Sequence, residues 1–144
     1  MDPNSFLLSS IVQPFSINAL IALIPTLICL FVSAFVSASE VAFFSLSPKD
    51  FEQMENENHP SDEKIKLLLQ KPEHLLATIL ITNNLVNVSI IVLSSYIINQ
   101  TLNFSAFPIL GFIFETILIT FIILLVSEIM PKIFAQQHGL RMAR

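Results

Sequence analysis

Three apolar blocks, at about residues 17–46, 75–98 and 107–134, decide what this chain can fold into. Each meets the roughly 20 residues that an α-helix needs to cross the hydrocarbon core of a bilayer. Backbone N–H and C=O groups in that core must all be bonded within the protein, which helices achieve segment by segment. The predicted fold class is therefore an all-α membrane protein with three transmembrane helices. The first block is longer than one crossing requires, and Pro25 and the serines of "SAFVSASE" interrupt it, so a bent or broken first helix is expected. It follows Met1-Asp2-Pro3 without a basic segment or a small-residue cleavage site, and so reads as a span and not as a signal peptide.

Composition agrees, with 53% hydrophobic and 12% charged residues. The net charge of −4 comes from acids gathered in one polar loop, and no basic stripe exists to grip nucleic acid. Cys29 is the one cysteine, inside an apolar run, and is expected to be a small buried residue, not part of a metal cluster. No combination of nucleophile, base and orienting residue stands out, so an enzyme is not expected.

The basic residues set an expected orientation. Lys49, Lys64, Lys66 and Lys71 lie between the first and second blocks, and Lys132, Arg141 and Arg144 follow the third. The positive-inside rule places residues 1–16 outside, the 47–73 loop in the cytoplasm, the 99–106 connector outside, and the 135–144 tail in the cytoplasm. Within the loop, "SPKD" offers Ser47 as an N-cap with Pro48 at the first helical position, and "PSDEK" offers Ser61 as a second cap. Lys71-Pro72 should end one helix and start the next. Two short juxtamembrane helices are predicted there. His59, His74 and His138 are given no role.

Polar residues inside the spans carry the functional signal, because lipid makes each of them costly without a partner or a cavity. Ser33, Ser37 and Glu40 share one helix face by their spacing, as do Asn83 and Asn87, with Asn84 rotated away. Ser127 and Glu128 stand just ahead of Pro131. In an α-helix, Pro131 would leave the Ser127 carbonyl without a donor, beside the Glu128 carboxylate. Hydroxyls, amide oxygens, a carboxylate and a freed carbonyl make an oxygen-only set suited to Mg²⁺, Ca²⁺ or Na⁺. The bland readings are that Ser33, Ser37 and Asn87 glue helices together and that Glu128 pairs with Lys132 one turn on. Glu115, nearer the outer half, is open among a second ion site, a proton site and a dimer contact.

The stretches "LFVSAFVSASEVAFFSLSP", "LLATILITNNLVNV" and "LLVSEIMPKIFAQQHG", in this order, resemble the transmembrane domain of the CorC/CNNM magnesium transporters over residues 17–144. Within that family the chain is most similar to the gliding-motility-associated GldE-type branch of Bacteroidetes. The resemblance implies a homodimer in the bacterial inner membrane, with three spans and a helical belt per protomer, that exports Mg²⁺ coupled to Na⁺. It implies ion ligands at Ser33, Ser37, Asn83, the Ser127 carbonyl and Glu128, with Asn84 and Asn87 as further candidates in an ambiguous register. Glu40 matches the acid that follows the serine motif. Many relatives carry glycine where this chain has Ser127. Full family members continue into a CBS module that binds adenine nucleotides, and these 144 residues contain none, so nucleotide binding is not expected of them. The alternative from another class is a membrane scaffold subunit for gliding or secretion machinery, in which the same polar residues only hold helices together.

Overall fold

The computed structural model describes residues 2–144, with the side chains of Phe6 and Leu7 outside the description. Helix α1 (Pro3–Ile11) precedes the long α2 (Ile17–Phe44). Two short helices, α3 (Pro48–Glu57) and α4 (Asp62–Leu69), lead to α5 (Pro72–Thr101). The third rod is built in sequence from α6 (Pro108–Ile122), a π-helical segment (Ile123–Ile129) and α7 (Met130–Gln137), followed by α8 (Gly139–Ala143). Three helical stretches, Ile17–Phe44, Pro72–Thr101 and Pro108–Gln137, are long and apolar enough to cross a membrane. The second overruns the predicted 75–98 at both ends, started by Pro72 at its first turn, while the third starts at Pro108, one residue inside the predicted 107–134, and overruns it only at its polar end, to Gln137.

The expected break in the first span is absent: α2 is continuous through Pro25. Proline removes one ladder donor, and in the same turn the Thr26 hydroxyl donates to the Ala22 carbonyl at 2.7 Å. Thr26 thus adds a hydrogen bond beside the one lost, which is how membrane helices tolerate proline. The irregularity lies in the third span instead. Met130 N–H bonds Leu125 O, five residues back, so the turn ahead of Pro131 carries one extra residue. In that register the donor missing at Pro131 is the one facing Val126, not Ser127.

Small residues let the spans approach. Ala19, Ala22, Thr26, Ser33 and Ser37 are buried along one face of α2, which packs mainly on α5 and, further along, on the π segment and α7. Close backbone approach through small side chains is the packing mode available where lipid removes the hydrophobic drive between helices. One apolar cluster joins Ile90, Ile119 and Ile123, with Cys29 and Leu30 packed on it, and another joins Ala38, Ala42 and Ala135. Cys29 is thus half-buried packing, as expected. Large side chains point outward, Phe31 at 75% and Ile109 at 77% exposure, onto what would be lipid.

At one end of the bundle, Met54, Ile65 and Leu140 make a juxtamembrane core. Burying Met54 and Ile65 stabilises this belt by roughly 1.5–3 kcal/mol each. Ser47 does head α3: its N–H and its hydroxyl both donate to the Asp50 carboxylate at 2.7 Å. Ser61 does not cap α4. Its backbone is already right-handed helical, which turns the hydroxyl away from the first amides, and Asp62 instead accepts from His59 N–H at 3.2 Å. Asp62 is also gripped by Arg144, through Nε at 3.0 Å and a terminal nitrogen at 3.2 Å, while the other terminal nitrogen meets Glu57 at 2.6 Å.

The Arg144 hydrogen bonds hold the Asp62 carboxyl below its ordinary range, and the Gln53 and Arg144 hydrogen bonds do the same for Glu57. A depressed folded-state value means that the clamp contributes fully above the ordinary carboxylate range and is lost as pH falls through the lowered values. Amide-exchange protection of α8 should therefore hold at pH 7 and fall only in acid, below about pH 4. Asp62→Asn should lose it already at pH 7. Equal α8 protection in both proteins at pH 7 would contradict the clamp.

At the opposite end, Val12 and Leu102 form an isolated antiparallel bridge, supported by Gln13 N–H to Thr101 O at 2.9 Å and Asn103 N–H to Ile11 O at 2.7 Å. The segment after α1 is thereby pinned to the α5–α6 connector. Gly111 allows that connector to fold down, since a Cβ there would lie 2.5 Å from the Phe104 Cβ. Gly111→Ala is expected to cost about 1–3 kcal/mol of stability by overpacking, read as a lower melting temperature in detergent. An unchanged melting temperature would mean that the connector is not held against α6.

Candidate functional site

The polar residues of the three spans meet at one level. Ser33 of α2 is fully buried, and its hydroxyl lies 3.0 Å from Asn83 Oδ1 and 2.8 Å from Asn87 Oδ1 of α5. The Asn87 amide nitrogen donates to Glu128 Oε1 of the π segment at 3.2 Å. That bond sets the orientation of the Asn87 amide, with nitrogen toward the acid and oxygen toward Ser33. One hydroxyl proton then serves two amide oxygens. The lone pairs converging on Ser33 outnumber the protons available to them, a surplus of the kind a hard cation can satisfy.

Two further oxygens are unmet. The Ser37 and Ser127 hydroxyls are fully buried, and among the described residues neither has a hydrogen-bond partner. Leaving a buried hydroxyl unpaired costs on the order of 1–3 kcal/mol, and such groups in a native structure call for an explanation. Both lie on segments that pack together, α2 and the π segment. The donor set fits a hard cation: hydroxyls, amide oxygens and one carboxylate, without sulfur or imidazole. Among the described residues there is no group of three or more His, Cys, Asp and Glu able to hold a metal, so the charge at this level comes from Glu128 with neutral oxygens around it.

The remaining candidates separate cleanly. The double asparagine resolves as Asn83 and Asn87 facing α2, with Asn84 exposed on the outside of α5. Lys132 pairs with Glu40 at 3.2 Å and not with Glu128, which leaves Glu128 to Asn87. Glu40 and Lys132 are both more than a third exposed, so this pair sits at the edge of the site. Glu115 belongs to another place, where the Ser95 hydroxyl donates to its carboxylate. Ser127, whose carbonyl the sequence singles out, also has its hydroxyl buried by the packing.

Residues 24–144 match the family described as the cyclin M transmembrane N-terminal domain. A UPF0053 protein of Haemophilus influenzae is 37% identical over 113 residues, covering 78% of this chain and 26% of that protein. The UPF0053 inner membrane protein YfjD of Escherichia coli K12 is 30% identical over 112 residues, covering 78% and 25% respectively. The chain thus spans about a quarter of the length of the curated relatives it matches. Its three-span architecture and the extent of the match lead to one conclusion: the chain belongs to the cyclin M transmembrane domain family.

Proposed function

We propose that this domain carries a hard divalent cation, Mg²⁺, across the membrane through the oxygen site between its spans, with Na⁺ as the coupling ion and export as the direction. The observation that carries the proposal is the convergence of Ser33, Asn83 and Asn87 oxygens beside Glu128, with two buried hydroxyls left unmet. Mg²⁺ gives up its water reluctantly, and a site of several fixed oxygens from three helices replaces that water. A single carboxylate keeps the attraction weak enough for release. Discontinuous or distorted helices at such sites are how membrane transporters present backbone and side-chain oxygens to an ion, and the π segment supplies the distortion here.

The basic residues, confined to 49–71 and 132–144, support an N-terminus outside and a C-terminus in the cytoplasm, in the inner membrane named for the Escherichia coli relative. A homodimer is part of the proposal, its basis being the family resemblance together with the broad apolar outer faces. The scaffold reading draws on the same Ser33–Asn83–Asn87 bonds as interhelical glue. The two unmet hydroxyls weigh against it, because glue residues are partnered.

Purified protein reconstituted into liposomes holding a Mg²⁺-sensitive dye provides the test. Mg²⁺ flux that depends on an opposing Na⁺ gradient and falls to the empty-liposome level in Glu128→Gln is the expected result. Flux no greater than in empty liposomes, together with a stable partner complex indifferent to Mg²⁺, would favour the scaffold.

A further inference from the structure

At the end of the bundle remote from the lysines, a cavity of about 380 Å³ opens between the α5–α6 connector, α6 and the segment pinned by the Val12–Leu102 bridge. Its polar lining is Gln13, Asn99, Asn103, Ser105 and Glu115. Glu115 lies seven residues into an otherwise uncharged α6, roughly 10 Å from its start at 1.5 Å per residue. Glu128 follows thirteen residues later on the same rod, roughly 20 Å away. No Lys, Arg or His occurs before Lys49 or between His74 and Lys132, so this end has no basic side chain to neutralise the acid. Among the described residues the hydrogen-bond partner of Glu115 is Ser95, a neutral hydroxyl. An acid in a span, unpaired by a base and facing a polar cavity, marks an ion path by default.

We propose that this outer cavity is a second cation site, with Glu115 as its one charged ligand and with neutral oxygens of the Gln13, Asn103 and Ser105 type around it. One carboxylate with amide and hydroxyl oxygens selects the same oxygen-seeking class as the inner site, Mg²⁺ or Na⁺. The proposal rests on the transport reading and gives the path an outer station. The bridge at Val12–Leu102 then has a task, since it holds Gln13 and the connector at the rim of the cavity.

Calorimetric titration of Mg²⁺, and separately of Na⁺, into the purified chain tests this beside Glu115→Gln and Glu128→Gln. The parent is expected to bind two cations per chain. Glu115→Gln should lose one of them and keep the event that Glu128→Gln removes. Glutamine still accepts from Ser95, so the fold should survive, and Gln13→Ala on the exposed rim is a second variant, expected to weaken the outer event about tenfold. Parent-like binding of both ions in Glu115→Gln and Gln13→Ala would overturn the outer site while leaving the inner one standing. Loss in Glu115→Gln with Glu128→Gln unchanged would uphold the outer site and sink the inner reading.

Discussion

Glu128→Gln is expected to abolish the stabilisation that Mg²⁺ gives the folded protein while leaving its helix content intact. A ligand that binds only the native state raises stability by RT ln(1 + [L]/Kd), about 2.7 kcal/mol at a hundred times Kd. The parent should therefore melt markedly higher in Mg²⁺ than in a chelator. Glutamine has the size of glutamate and still offers an oxygen to Asn87, so the hydrogen bond at 3.2 Å has a replacement. What goes is the charge at this level. Losing even an outer partner of a metal ligand costs 10–100-fold in affinity, so removing the carboxylate itself should cost more than about 100-fold. Equal Mg²⁺ stabilisation in both proteins would rule Glu128 out as a ligand.

Ser37→Ala should separate stability from binding, in opposite directions. The Ser37 hydroxyl is buried without a partner among the described residues, and deleting it removes a desolvated polar group at the loss of a single atom of packing. Without Mg²⁺ the variant is expected to be more stable than the parent, by about 1 kcal/mol. In Mg²⁺ it should gain less than the parent, because one of the waiting oxygens is gone, with affinity about tenfold weaker, equivalent to about 1.4 kcal/mol. Residues retained at a cost to the empty fold are the signature of function over stability. A variant less stable without Mg²⁺ and unchanged in binding would make Ser37 an ordinary packing residue.

Much of this was legible in the residues. Hydropathy placed the three spans to within a few positions, because lipid tolerates few other solutions. Helix starts at Pro48 and Pro72 were readable from proline at the first turn. The serine and asparagine spacings already put Ser33 and Ser37, and Asn83 and Asn87, on shared faces.

Other features depended on tertiary choices that spacing does not encode. Lys132 stands four residues from Glu128 and also within reach of Glu40 on another helix; packing of α7 on α2 decides for Glu40. Pro25 and Pro131 look alike in sequence. One sits in an unbroken α-helix with Thr26 adding a bond, and the other follows a π turn that moves the lost donor from Ser127 to Val126. Ser61 does not cap α4, because the helical backbone begins at Ser61 itself; Asp62 beside it is tied back to His59 and held by Arg144 from 82 positions away. The bridge that pins residue 12 to residue 102 left no mark in composition at all.

The most direct measurement is anomalous diffraction from crystals of the protein grown with Mn²⁺, which takes the same oxygen ligands as Mg²⁺. The account predicts a peak between α2, α5 and the π segment, in contact with oxygens of Ser33, Asn83, Ser127 and Glu128, and none there in Glu128→Gln. Mn²⁺ found at the acidic surface of α3 and α4, with no density between the spans, would contradict it.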